Sequence, residues 1–182
     1  MTEAREMAIR FETTRVLVFA RHPMEPFPSV SWELAAWLRL FPAENVICIN
    51  RRDLVAARNW SFREYALKAP KAVESWICVD RDMRPRDRTA PFLCQEGDLV
   101  GCLYHTGRNA CAWDDPGAVH GGLFRFNRRV VETLADKAPW WDYARSADGC
   151  TWGCECGRFV EKVRAAGLRV ARAGWCGHKD KE

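Results

Sequence analysis

The stretch Trp76–Pro85 constrains the fold of this chain more than any other. Four mostly apolar residues run into two carboxylates, Asp80 and Asp82, and a proline ends the stretch. An apolar run bounded by charge and proline predicts a buried central strand. In open α/β sheets ligands bind at the carboxyl ends of the strands, so both acids are expected at that edge. Mg²⁺ and Mn²⁺ prefer oxygen ligands and share them with substrate phosphates. An ordinary charged turn is the alternative, and Asp-x-Asp alone favours it.

The composition is that of a folded domain. The chain has 182 residues, of which 48% are hydrophobic and 12% aromatic, and this predicts one globular domain with a full core. No apolar run reaches the roughly 18 residues that a membrane span needs. The segment Met1–Arg10 is charged and lacks the apolar centre of a signal peptide, so a cytoplasmic protein is expected.

The cysteines and the net charge indicate the redox state of the thiols and the kind of ligand that the chain could bind. The nine cysteines include Cys48, Cys78 and Cys102 in predicted strands, and we expect reduced core thiols and no disulfide framework. The net charge of +4 suits phosphate-bearing ligands and leaves a nucleic-acid partner open.

Strands and helices alternate in the first half of the chain. Apolar runs predict strands at 15–20, 45–50 and 76–79. Helices are expected between them, one capped by Ser29 or Ser31 and one capped by Asp53. The short links predict a parallel sheet with right-handed crossovers. The first helix should end near residue 40 and turn one face to the core, formed by Trp32, Ala36, Trp37 and Leu40.

The second half continues with shorter elements and one long polar loop. The patterns predict, in order, a short helix at 91–94, a strand at 98–104, a loop at 105–117, a strand at 119–126, a helix at 128–137, a helix closed by Gly167 and a strand at 168–171. The length of the loop suggests a binding role.

Two pairs of residues in this half can be interpreted either as ligand-binding or as structural. Gly121 and Gly122 could let the backbone approach a ligand closely, and a tight turn explains them equally well. Trp140 and Trp141 could stack on a sugar or a base, whereas packing against the core is the commoner role of such a pair.

The last third contains a group of potential zinc ligands, namely Cys150, Cys154, Cys156, Cys176 and His178. Clusters of cysteine and histidine can build tetrahedral zinc sites. The spacings C-x3-C-x-C and C-x-H lack the usual paired C-x2-C knuckles. A non-catalytic zinc-binding module, with nucleic acid as one partner, is therefore the alternative function.

In their joint order and spacing, the motifs resemble those of a compact GT-A fold glycosyltransferase near the large family 2 group. The segment 57–59 resembles the family's Ala-Arg-Asn helix start, and 77–83 resembles its strand with Asp-x-Asp. The segment 121–128 resembles the strand and Arg-bearing helix start of the acceptor side. The segment 153–159 resembles the Gly-x-Glu-Asp-x-x-Phe element, and His178 resembles the late metal-binding His.

The resemblance implies a single GT-A (Rossmann-like) α/β domain with a mostly parallel central sheet flanked by helices. That domain would cover residues 13–182 and follow a charged arm at 1–12. Its nucleotide-sugar half would end near residue 85, and the acceptor half would cover 86–182.

The resemblance also implies a glycosyltransferase that moves a sugar from a nucleotide-sugar, with a UDP-sugar as the commonest donor. The acceptor hydroxyl would belong to a glycan, a lipid or a modified DNA base. Mn²⁺ or Mg²⁺ would be held by Asp82 and His178 with Asp80 nearby, and Asp80 could instead meet the ribose. Arg58 and Asn50 would hold the nucleotide.

Glu155 would act as the general base of an inverting reaction, although an acid at a helix start can also simply stabilise the helix. Two positions depart from the family pattern, because Cys156 replaces the second acid of the Glu-Asp pair and Asn50 replaces an acid that often meets the nucleotide base. The acceptor side would be formed by Gly121, Gly122, Arg125, Trp140 and Trp141.

Overall fold

A computed structural model describes residues 8–20, 30–50, 53–104, 119–143 and 155–178. The strands in these ranges are β1 (Thr14–Ala20), β2 (Val46–Asn50), β3 (Ser75–Asp80), β4 (Met83–Arg84), β5 (Leu99–Leu103), β6 (Leu123–Asn127), β7 (Val170–Trp175) and β8 (Gly177–His178). The helices are α1 (Trp32–Leu38), α2 (Leu54–Ser61), α3 (Ala90–Cys94), α4 (Arg128–Thr133) and α5 (Glu155–Ala165). A π-helical segment, Phe62–Leu67, extends α2.

Six of the strands within these ranges form one sheet in the order β2-β1-β3-β6-β5-β7. Strand β1 is parallel to β2 and β3, β5 is parallel to β7, and β6 is antiparallel to both of its neighbours. The predicted parallel β-α-β-α-β arrangement of the first half is confirmed. The fold class is also confirmed, an α/β domain with a mostly parallel central sheet flanked by helices.

Side-chain caps fix where three of the helices begin. The Ser31 hydroxyl accepts a hydrogen bond from the Leu34 amide at 3.1 Å, and Asp53 accepts one from the Ala56 amide at 2.7 Å. Asn127 caps α4 in the same way. Each cap satisfies an amide that would otherwise lack a partner in the first helical turn. The caps predicted at residues 31 and 53 are thus confirmed.

The core lies on both faces of the sheet because alternate residues of a strand point to opposite sides. Leu17 and Phe19 of β1 pack into one cluster, and Val16 and Val18 pack into the other. Within the segment expected to be a charged arm, Ile9 is 5% exposed and packs into the second cluster together with the partly buried Phe11.

Helix α1 presents only part of its predicted face to the core. Trp37 is buried as expected, whereas Trp32 and Leu40 are 74% and 47% exposed, and Leu34, outside the predicted face, is buried. Glu33 is buried as well, because its carboxylate accepts a hydrogen bond from Arg86 Nη2 at 3.1 Å. This ion pair makes the burial of Glu33 favourable. The pattern of apolar residues alone therefore does not predict the buried face of α1. The helices α1 and α4 also end earlier than expected, at residues 38 and 133.

The cysteines follow the prediction only in part. Cys78 and Cys102 are buried free thiols, as expected. Cys48 is a free thiol but is exposed, because β2 is an edge strand of the sheet. Cys156 is disulfide-bonded, contrary to the expectation of reduced thiols.

No helix in the described ranges is both long and apolar enough to cross a membrane.

Candidate functional site

Polar residues from several strands meet at the carboxyl edge of the parallel strands. The register pairs Asp80 with Phe19 at the end of β1, and Asn50 with Ala20 on its other side. The backbone amide of Asp80 donates to the carbonyl of Gly122 at 2.8 Å, which brings the start of β6 to the same edge. The two acids of the Asp-x-Asp segment therefore lie where ligands bind in sheets of this kind.

Arg58 is the centre of the site. It belongs to α2, and its side chain is 1% exposed. Its Nη1 forms a close ion pair with Glu155, its Nη2 lies 3.6 Å from Asp80 Oδ1, and Nη2 also donates to the Gly121 carbonyl at 2.7 Å. One guanidinium thus holds together α2, the end of β3, the start of β6 and the start of α5. We call these four residues the arginine clamp.

Side chains of the site pack directly against the backbone of two glycines. A Cβ atom on Gly121 would lie 2.8 Å from Cζ of Arg58, which is closer than real Cβ contacts. A Cβ atom on Gly122 would lie 2.6 Å from Cζ of Tyr104 and 2.8 Å from Sδ of Met83. These glycines were predicted to let a ligand approach. In the structure, however, the groups that approach them closely belong to the chain itself.

A second polar pair lies beside the clamp. Strands β4 and β8 pair Met83 with His178, and this brings His178 Nε2 to 3.4 Å from Asp82 Oδ2. The ring of Tyr104 packs edge-on against His178 with 5.3 Å between ring centroids. The Tyr104 hydroxyl accepts a hydrogen bond from the Gly122 amide at 2.8 Å. Tyr104 therefore connects this pair to the glycine segment.

The chemistry of the pair suits a divalent cation that shares its ligands with phosphate. A carboxylate oxygen and an imidazole nitrogen are both ligands for Mn²⁺, and Mg²⁺ is commonly bound by one or two carboxylates plus substrate phosphates. Across the described ranges, no three His, Cys, Asp or Glu side chains form a complete metal-binding group. Asp82 and His178 could thus supply part of a coordination shell that a ligand would complete.

Three residues expected on the acceptor side do not line this site. Trp140 and Trp141 are 5% and 1% exposed, and the Trp141 ring stacks on Phe159 with centroids 4.1 Å apart. Both tryptophans belong to the hydrophobic core. Arg125 is 2% exposed and donates from Nε to the carbonyl of Phe92 at 3.1 Å, away from the arginine clamp.

Tyr104 is the contributor to the site that the sequence did not reveal. It lies directly after β5, and the sequence pattern predicts it only as the last residue of a strand at 98–104. Its position at the carboxyl end of a predicted strand could have indicated a site residue, because the hydroxyl of a buried tyrosine usually has a hydrogen-bond partner.

The cysteines of the zinc alternative that the structure describes do not form a site with His178. The thiol of Cys176 is fully buried, and burial raises its pKa to about 12. Cys156 is disulfide-bonded and is therefore not a thiolate ligand. Cys150 and Cys154 lie outside the described residues.

Comparison with known proteins finds no matching family model and no match among curated proteins. A solved structure with the same overall fold is A197 from STIV, with a TM-score of 0.56 and 15% identity over 90% of this chain and 82% of that chain. At this identity the likeness concerns the fold alone.

Two solved structures resemble the chain more distantly. One is a Drosophila β1,4-galactosyltransferase 7 mutant in complex with manganese, UDP-Gal and xylobiose, with a TM-score of 0.46 and 16% identity over 88% of this chain and 64% of that chain. The other is described as a nucleotide-diphospho-sugar transferase from Desulfovibrio desulfuricans G20, with a TM-score of 0.47 and 13% identity over 93% of this chain and 83% of that chain. These TM-scores are too low to support an argument about this chain.

Proposed function

We propose that the chain is a metal-dependent GT-A glycosyltransferase that moves a sugar from a nucleotide-sugar, taken as a UDP-sugar, to an acceptor hydroxyl. One observation carries the proposal. The Asp82–His178 pair lies beside the arginine clamp, at the edge of the sheet where ligands bind. Membership of the family 2 group stays a prediction.

The leaving group of such a reaction is a nucleoside diphosphate, which develops negative charge as the sugar departs. Mn²⁺ or Mg²⁺ held by Asp82 and His178 would supply positive charge next to it. Tyr104 supports this role by packing against the His178 ring. Asn50, at the end of β2, lies on the same edge and is proposed to meet the nucleotide.

Arg58 has a different role in this proposal from the one that the resemblance implied. A guanidinium that is 1% exposed and already held by two carboxylates and a carbonyl is poorly placed to bind a nucleotide. We assign it as a positioning residue. It fixes the direction of Asp80 and Glu155, and a buried ion pair of this kind is stable only with several partners.

Glu155 is the candidate general base. It begins α5, its side chain is 13% exposed, and the ion pair with Arg58 holds it at the edge of the sheet. A general base must lie within hydrogen-bond distance of the acceptor hydroxyl. The position of the Glu155 carboxylate at the ligand-binding edge supports this role.

Calorimetric titration of UDP and of GDP, each with and without Mn²⁺, tests the donor site. We expect one nucleotide to bind more tightly with Mn²⁺, and Asp82→Ala should remove the metal-dependent part. Asp87→Ala is the matched control, because Asp87 is an exposed acid in the same segment and outside the site. Absence of binding by either nucleotide would contradict the proposal.

The role of Glu155 is tested by Glu155→Gln in an assay of nucleotide release from the donor that binds. Removing a general base typically lowers the rate by about 10²–10⁴-fold. Nucleotide binding should persist, which separates a loss of chemistry from a loss of fold. Glu161→Gln, an exposed position on the same helix, should keep full activity. Equal activity of Glu155→Gln and the wild type would exclude Glu155 as the base.

A further inference from the structure

A cavity lies at the opposite edge of the sheet from the arginine clamp. It has a volume of about 660 Å³, and its lining includes Ser75 at the start of β3 and Asp98 just before β5. Strand β3 runs from Ser75 to Asp80, so at about 3.3 Å per residue the two edges are roughly 17 Å apart. This cavity is therefore separate from the proposed donor site.

Each carboxylate that lines the cavity has an arginine partner that also lines it. Glu74 forms a close ion pair with Arg10, and Glu96 lies 3.1 Å from Arg169. Asp98 lies 3.7 Å from Arg129 and also accepts hydrogen bonds from the backbone amide of Arg169 and the side chain of Asn127. Among the residues that the structure describes, the three carboxylates on the cavity lining are thus matched by three arginines.

Arg125 is the fourth arginine on the lining, and no carboxylate partner for it lies in the described part of the chain. It is 2% exposed, and it donates to the backbone carbonyls of Phe92 and Gln95. No carboxylate in the described ranges forms an ion pair with it. Burial lowers its pKa to about 10. A buried charge without a counterion is costly, because neutral carbonyls replace its hydration only in part.

We propose that this cavity binds a small anion, a phosphate or carboxylate group, through Arg125. A guanidinium pairs with either group through two parallel hydrogen bonds, and an anion here would complete the charge balance of the cavity. The volume leaves room for a small molecule attached to the anionic group. Arg129 also lines the cavity, and its side chain is 68% exposed.

Inorganic phosphate and acetate are the probes, titrated against chloride at constant ionic strength with saturating UDP and Mn²⁺ present. We expect at least one of the two anions to bind the wild type. Arg125→Gln should weaken that binding about tenfold or more, since the substitution removes charge-assisted hydrogen bonds to the anion. Comparison of phosphate with acetate identifies the class of anion.

If Arg125→Gln does not fold, a second variant tests whether the anion binds in this cavity. Arg129→Glu reverses a charge that is 68% exposed on the lining, and Arg63→Glu makes the same change at a 59% exposed arginine outside the cavity. Arg129→Glu should weaken anion binding severalfold, and Arg63→Glu should not change it. The proposal is overturned if neither anion binds the wild type, or if the variants in the cavity bind as the wild type does.

Discussion

The two edges of the sheet each contain a buried arginine, and the two arginines differ in their partners. Arg58 at the carboxyl edge contacts Asp80, Glu155 and the carbonyl of Gly121. Arg125, which lines the cavity at the amino edge, donates to two backbone carbonyls and lies over the Phe92 ring, and no carboxylate in the described ranges forms an ion pair with it. Carboxylates of the chain neutralise the first arginine, whereas the described residues supply no carboxylate for the second, which we propose pairs with a ligand.

This difference separates two uses of a buried charge. An arginine held by carboxylates from separate segments fixes those segments relative to one another, so it organises a site without binding the ligand itself. An arginine held only by neutral groups keeps its affinity for an anion. The following substitutions test this distinction, beginning with the largest expected effect.

Arg58→Gln should be the most destabilising change. It takes the guanidinium away from two carboxylates and a carbonyl, and breaking a buried ion pair costs about 3–5 kcal/mol. The free energy of unfolding from urea denaturation measures the effect. Arg63→Gln, at an exposed position one turn further along, should change it by less than about 0.5 kcal/mol. A loss for Arg58→Gln as small as that of Arg63→Gln would mean that the clamp does not hold the site together.

Gly121→Ala should cost about 1–3 kcal/mol, because the new methyl group would overlap the Arg58 guanidinium in a packed site. Its control is Gly157→Ala in α5, where a Cβ would meet nothing within 4 Å. Alanine favours helix over glycine by about 0.5–1 kcal/mol, so the control should stabilise the chain. If both glycines tolerate alanine equally, the close approach of Arg58 to Gly121 is not required.

Arg125→Gln should cost less than Arg58→Gln, about 1–2 kcal/mol. It weakens hydrogen bonds to two carbonyls but leaves no carboxylate without its arginine. Urea denaturation of the two variants side by side measures the contrast. An equal or larger loss for Arg125→Gln would show that the two arginines are both structural, and the comparison would fail.

The smallest effect is a pH dependence at the amino edge. Burial alone would raise the pKa of Asp98, but hydrogen bonds from the Arg169 amide and the Asn127 side chain, with nearby arginine charges, lower it overall. A lowered folded-state pKa gives stability that is present above the unfolded pKa of about 3.9 and is lost as the pH falls through the folded value. The stability gap between wild type and Asp98→Asn should therefore be widest near neutral pH and narrow below about pH 4. Denaturation at several pH values tests this, and a gap that stays constant with pH would contradict it.

The local features of the fold could be predicted from the sequence because short-range chemistry decides them. The apolar runs at 15–20 and 76–79 form the central strands β1 and β3, and Ser31 and Asp53 cap the helices as expected. The position of Asp-x-Asp at the carboxyl edge also followed from local order, since a strand that ends in two acids places them at its own end.

The arginine clamp could not be predicted in the same way. Its partners come from residues 80, 121 and 155, and no spacing in the sequence shows that these segments meet at one guanidinium. The direction of β6 and the burial of Trp140 and Trp141 depend on the same long-range packing. The face of α1 was mispredicted for a related reason, because Arg86 makes the burial of Glu33 favourable.

We propose that nucleotide and metal bind at the carboxyl edge of the sheet, while a separate anion binds at the amino edge. Calorimetry with UDP plus Mn²⁺, and then with the anion that binds, on wild type, Asp82→Ala and Arg125→Gln tests both sites. Asp82→Ala should lose metal-dependent UDP binding and keep anion binding, and Arg125→Gln should show the reverse. Metal-dependent UDP binding that survives Asp82→Ala, or is lost in a folded Arg125→Gln, would contradict the account.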